Sequence, residues 1–184
     1  MAPYRIIALG DSLTYGYPFG HALSWVTLAS DELGIPILNR GINGDTLAHM
    51  VRRLTHDVLD IHPEICLVMG GTNDLLQEVP FEQLKNNFLT LVERLLDGKI
   101  LPVIGLPPPI QNAPLEKALT KFRNWIKSQA KARSLKTMDF YKPFLDKRKR
   151  ILGSLLEDGV HPSSEGYQLM SQVAIKVLTE LTKD

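Results

Sequence analysis

The chain has one cysteine, Cys66, among its 184 residues, so an intramolecular disulfide is excluded and stability must come from a buried core. Cys66 stands inside the apolar run Ile65 to Met69, which predicts a buried, inert thiol. Long hydrophobic runs are missing as well: none approaches the ~18 to 20 residues of a spanning helix, and no membrane span is expected. Neither sign of charge is in excess, since 21 basic and 20 acidic side chains leave a formal charge of +1. The one concentrated basic stretch, Lys147-Arg148-Lys149-Arg150 with Lys142 just upstream, reads as a solvated surface turn, and no nucleic-acid partner is expected. Internal repeats, linkers and low-complexity tracts are lacking, so residues 1–184 read as one domain. A secretory signal needs a basic start, an apolar stretch and a small-residue cleavage site, but a glycine-bounded turn already begins at Gly10. A cytoplasmic location is expected unless a signal has been removed. The residues set no oligomeric state.

What is present is an ordinary globular composition, 44% apolar and 22% charged. A chain of this length buries about 70% of the surface that its unfolded form exposes. Short apolar runs alternate with longer stretches of helical period, the pattern of a parallel sheet covered by helices on both faces. The predicted strands are Tyr4–Leu9, Ile35–Asn39, Ile65–Met69, Ile100–Leu106 and Leu135–Phe140. Helical spacing predicts helices over Ala22–Leu33, Leu47–Leu59, Phe81–Leu96 and Leu115–Ala132, and a last helix carrying Tyr167, Met170, Val173, Val177, Leu178 and Leu181. Trp25 and Trp125 lie on these apolar faces and read as core packing. The run from Leu106 through Pro107, Pro108 and Pro109 to Asn112 cannot be helix, because proline lacks a donor and restrains its predecessor.

In an open parallel sheet the carboxyl ends of the strands form one rim, where ligands bind. Gly10-Asp11-Ser12-Leu13 directly follows the first predicted strand, so the Ser12 hydroxyl is presented at that rim, as a nucleophile requires. Alone the turn is weak evidence, since serine and aspartate are common capping residues. After the second strand, Gly41 to Thr46 contains Gly44, whose backbone amide can face the crevice; Asp45 or Thr46 equally suits a helix cap. After the third, Gly70-Gly71-Thr72-Asn73-Asp74 offers the Asn73 amide, a donor that never ionises. The Ser12 amide, the Gly44 amide and the Asn73 side chain could together hold an oxyanion.

Asp158-Gly159-Val160-His161-Pro162 lies just ahead of the last helix. Three residues apart on such a turn, an aspartate can accept from one imidazole nitrogen while the other faces a serine. Asp11, Asp45, Asp74 and Glu157 remain rival partners for His161, because spacing does not give distance; Asp158 is preferred for its short reach. His21, His49, His56 and His62 read as surface or satisfied residues; His161 differs from them by its neighbour and position together. Tyr15, Tyr17, Phe19, Leu75, Leu76 and Pro107 to Ile110 follow these strands and could line an apolar acyl or aryl pocket, or could equally pack beneath surface loops.

These four blocks, in this order from residue 10 to residue 162, resemble the GDSL or SGNH hydrolase family, named for a serine, glycine, asparagine and histidine in separated motifs. The resemblance implies a three-layer α/β/α sandwich with flavodoxin-like topology around a parallel sheet. It also implies a catalytic Ser12, Asp158 and His161, and an oxyanion hole from Ser12, Gly44 and Asn73. The family cleaves esters, thioesters and acetylated sugars. Such an acyl-enzyme mechanism on a small-molecule ester requires no metal and no cofactor, and a short- to medium-chain acyl or aryl ester is expected. Two other classes compete. A flavin-binding carrier could use the first loop for phosphate, but Asp11 would repel that phosphate. A non-catalytic carbohydrate or lipid module would leave the Asp-His pair without a role.

Overall fold

In a computed structural model, residues 5–182 of the chain are described. Five parallel strands form one sheet: β1 (Ile6–Gly10), β2 (Ile37–Gly41), β3 (Ile65–Met69), β4 (Leu101–Leu106) and β5 (Thr137–Asp139), in the order β2-β1-β3-β4-β5. The central strands β1 and β3 are buried throughout, as strands covered on both faces must be. Their side chains alternate between two cores. Ile7, Leu9, Cys66 and Val68 face one, and Ile6, Ala8, Ile65, Leu67 and Met69 face the other.

Each core is closed by helices whose apolar stripes match it. Against the first lie α3 (Leu47–Asp57), α5 (Phe81–Asp97) and α6 (Ala113–Ala132), through Met50, Leu54, Leu84, Phe88, Leu91, Leu119, Phe122 and Ile126. The second is covered by α2 (Trp25–Leu33) and α7 (Ser164–Leu181), through Trp25, Val26, Ala29, Tyr167, Met170, Ala174 and Leu178. Each Val, Leu, Ile, Phe or Met among them, fully buried, contributes roughly 1.5–3 kcal/mol. The result is the expected α/β/α sandwich in flavodoxin-like strand order. Among the described residues no helix is long and apolar enough to cross a membrane.

The boundaries differ from the sequence expectation for identifiable reasons. Tyr4, the expected start of the first strand, lies outside the described residues. Gly41 belongs to β2, paired with Gly10, because the backbone of a four-residue helix, α1 (Ser12–Tyr15), passes so close that a Cβ would overlap the Tyr15 amide. Absence of a side chain explains this glycine, and conformational freedom does not. The helix expected from Ala22 begins only at Trp25, since Ser24 is extended and caps it by accepting from the Thr27 amide at 3.2 Å. The shortest helices, α1 and α4 (Thr72–Leu76), escape any test of periodicity because they span barely one turn. β5 shrinks to Thr137–Asp139, and a hairpin closed by a Leu145–Ile151 bridge separates it from the Asp158 turn.

Candidate active site

Ser12 is the first residue of α1, immediately beyond β1. Asp11 is extended and accepts from the Leu13 amide at 2.9 Å through Oδ1, so the small helix starts by side-chain capping. Gly16 ends it in the left-handed region, at φ 101°, which a residue with a side chain resists. A helix of four residues has little stability of its own. Its position is therefore set from outside: Asn39 Nδ2 on β2 donates to the Thr14 carbonyl at 2.8 Å.

The Ser12 Oγ lies 3.0 Å from His161 Nε2, and His161 Nδ1 lies 2.7 Å from Asp158 Oδ2. A carboxylate can only accept, so Nδ1 carries the proton and Nε2 is free to accept from the serine hydroxyl. The other oxygen of Asp158 accepts from the Val160 and His161 amides at 3.0 and 2.8 Å. Partial burial pushes this carboxyl up, but the bonds from the His161 amide, the His161 ring and the Val160 amide outweigh it and hold the group below the ordinary aspartate value. The turn is clamped at its base by a bridge between Leu156 and Pro162, and the Glu157 amide donates to the His161 carbonyl at 2.8 Å. Ser163 then caps α7 by accepting from the Gly166 amide at 3.2 Å.

None of the rival carboxylates bonds to His161, whose Nδ1 pairs with Asp158. Asp45 and Asp57 bind Arg53, at 2.7 and 2.6 Å. Asp74 accepts from the Leu47 amide at 3.0 Å, Asp11 caps α1, and Glu157 is exposed. Asp11 is fully buried, and its Oδ2 has no hydrogen-bond partner among the described residues. Burial pushes its carboxyl up to about 7; the Leu13 amide opposes this, and the Asp74 and Asp45 carboxylates add to it. Asp74 is likewise raised by burial, against the pull of the Leu47 amide.

Gly44 is exposed and left-handed at φ 80°. Asn73 lies on α4 and donates through Nδ2 to the Asp45 carbonyl at 2.9 Å, which ties the third loop to the second beside Gly44. A primary amide has a second hydrogen to give. The Ser12 and Gly44 amides donate to no carbonyl among the described residues. The Ser12 amide, the Gly44 amide and the second Asn73 amide hydrogen are thus left with donating capacity on the first three rim loops, as donors to an oxyanion must be.

The expected pocket-lining residues separate. Leu75 and Ile110 are buried in the core, and Tyr15 is half-buried with its ring edge-on to His21 at 4.6 Å. Tyr17, Phe19 and Leu76 are exposed, and the Tyr17 ring packs on His161 at 4.5 Å between centroids. Ile110 also borders a cleft of about 610 Å³, lined with it by Gln111, Asn112, Glu116, Tyr141 and Ile151 among others, which includes neither Ser12 nor His161. Sequence reasoning missed two residues. Arg53 binds the Gly10 carbonyl at 2.8 Å as well as Asp45 and Asp57, which joins the end of β1 to the Gly44 loop; beside Arg52 on an amphipathic helix it looks like any solvated cation. Tyr167, on the apolar stripe of α7, donates to the Tyr17 carbonyl at 2.7 Å, and only the rule that a buried hydroxyl finds a partner hinted at it.

A serine relayed through histidine to a carboxylate, beside amide donors, is equipped for acyl transfer. Comparison with known proteins agrees in fold and family. A structure of a protein of the lipolytic G-D-S-L family from Desulfitobacterium hafniense DCB-2 superposes with a TM-score of 0.88 at 30% identity, covering 95% of this chain and 99% of that one. An arylesterase from Vibrio mimicus is 24% identical over 97% of this chain and 90% of its own length. An acetylxylan esterase from Geobacillus stearothermophilus is 24% identical over 79% of this chain and 73% of its own. The model of the GDSL-like Lipase/Acylhydrolase family matches residues 8–169. The chain belongs to that family and is a carboxylic ester hydrolase.

Proposed function

We propose that this chain cleaves esters of short- to medium-chain acyl or aryl groups through an acyl-enzyme on Ser12. The observation that carries the reading is the unbroken relay from Ser12 Oγ to His161 Nε2 and from His161 Nδ1 to Asp158, at 3.0 and 2.7 Å. His161 takes the serine proton as Oγ attacks the ester carbonyl. The Ser12 and Gly44 amides and the free Asn73 amide hydrogen receive the oxyanion, and His161 then protonates the departing alcohol. Water repeats the sequence on the acyl-enzyme while Asp158 holds the imidazole tautomer.

The acyl preference rests on what the rim exposes. With Leu75 and Ile110 in the core, Tyr15 half-buried and the Tyr17 ring packed on His161, the exposed apolar side chains of the serine and asparagine loops that remain for a substrate are Phe19 and Leu76. These suit a small acyl group or a flat ring better than an extended chain. The names of the Vibrio and Geobacillus relatives, an arylesterase and an acetylxylan esterase, favour the same range and make an acetylated carbohydrate the second reading. A nitrophenyl ester series from acetyl upward, run beside an acetylated xylan, tests both. Highest kcat/KM at acetyl to butyryl is expected, and it must vanish in Ser12→Ala. Preference for long chains alone contradicts the acyl assignment; full activity in Ser12→Ala contradicts the mechanism.

A further inference from the structure

His161 is held by two hydrogen bonds at the two ends of its ring, and both lie in the plane of the imidazole. Neither resists a tilt of the ring out of that plane. In contact with the imidazole stands the Tyr17 ring, 4.5 Å away between centroids and inclined by 58°, within the range of favourable aromatic pairs. Tyr17 is 43% exposed on the loop after α1, so packing around it does not explain why it stays there.

Its backbone does. The Tyr17 amide donates to the Ser12 carbonyl at 3.1 Å, and the Tyr17 carbonyl accepts from the Tyr167 hydroxyl at 2.7 Å. Tyr167 is 0% exposed, and the same hydroxyl also approaches the Ser12 carbonyl, at 3.5 Å. Burial, with the Asp11 and Asp158 carboxylates nearby, pushes its pKa up, which keeps it a donor. The Phe19 ring meets Tyr167 edge-on at 6.4 Å, closing the loop onto α7. One helix thereby serves both partners, since α7 begins just after His161 and carries Tyr167 one turn further on.

We infer that Tyr17 is a positioning residue for His161, its ring held in contact with the imidazole by the buried Tyr167 hydroxyl. The inference rests on His161 being the base of the proposed reaction. Three variants test it: Tyr17→Phe, Tyr17→Ala and Tyr167→Phe, each measured for kcat and KM on nitrophenyl acetate, for melting temperature, and for the proton NMR signal of His161 Nδ1–H against Asp158. Tyr17→Phe keeps the ring and retains wild-type values. Tyr17→Ala lowers kcat about three- to tenfold, the worth of one aromatic pair expressed as a rate, with KM within about twofold. In that variant the Nδ1–H signal broadens while the melting temperature stays unchanged. Tyr167→Phe broadens the same signal at temperatures below its own melting transition. A Tyr17→Ala protein with wild-type kcat and a sharp signal overturns the inference, as does a rise in KM alone or a loss that Tyr17→Phe shares. Failure of the mechanism itself looks different: wild-type activity would then survive in Ser12→Ala.

Discussion

The carboxylates of the site are tuned in opposite directions by their surroundings. Asp158 receives two backbone amides and the imidazole and is held below its ordinary pKa, so it remains a carboxylate across the neutral range. Replacing it by asparagine presents an amide to His161 Nδ1 and favours the wrong tautomer. Asp158→Asn is expected to lower kcat about a thousandfold or more with little change in KM, measured on nitrophenyl acetate. Asp11, one residue before the nucleophile, is pushed the other way, to about 7 by burial. The folded chain holds this proton more tightly than the unfolded chain, whose aspartates titrate near ~3.9. Between those values unfolding releases a proton, so Asp11 makes stability fall as pH rises through this window, and the loss is complete above it. Asn serves as well as Asp for capping α1 but carries no such slope. Comparing urea midpoints at about pH 5 and about pH 8, the Asp11→Asn variant gains on the wild type at the higher pH. An offset equal at both would contradict the protonated state.

Among the elements, what the sequence disclosed tracks how many residues carry each signal. The long helices α5, α6 and α7 repeat apolar residues over several turns; α5 and α6 agree with the expected extents within a residue or two, and α7 carries every residue expected of the last helix, from Tyr167 to Leu181. β3 matches fully, because Ile65–Met69 is apolar throughout and flanked by breakers. The short α1 and α4 were not legible, yet they carry Ser12 and Asn73. The pairing of Asp158 with His161 was legible since both lie on one turn. The Arg53 and Tyr167 contacts were not, since each joins elements far apart in sequence. Gly41 shows the same limit: as a letter it signals a turn, but in the fold it admits the α1 backbone against β2. Gly41→Ala is expected to cost about 2–3 kcal/mol of stability, because the neighbour that must yield is backbone. It also displaces Ser12 and lowers kcat. Chemical denaturation and kinetics on one preparation check both; a neutral substitution would mean that α1 is not pressed against the strand.

At the scale of the whole molecule, two cores on opposite faces of one sheet hold the rim loops that form the site. The first packs Phe122 stacked on Trp125 at 5.8 Å, with Phe88 edge-on to both, and Phe122 also blocks any side chain at Gly71, before Asn73. Cys66 lies in this core, 0% exposed, its thiol pushed up to about 12 by burial. A thiol-specific reagent is therefore expected to leave the native chain unmodified and to react only at the rate of global opening. Fast labelling without loss of helical circular dichroism would show that the core opens locally. Phe122→Ala should cost about 3–5 kcal/mol and raise that labelling rate.

The central claim is that these loops deliver one nucleophile, Ser12, to an ester carbonyl. Its most direct test is mass spectrometry of the chain quenched in acid during turnover of nitrophenyl acetate, followed by peptide mapping. One acetyl group per chain on the peptide containing Ser12, absent from Ser12→Ala, is the predicted result. Acetyl on another residue, or turnover by Ser12→Ala at the wild-type rate, would contradict the account.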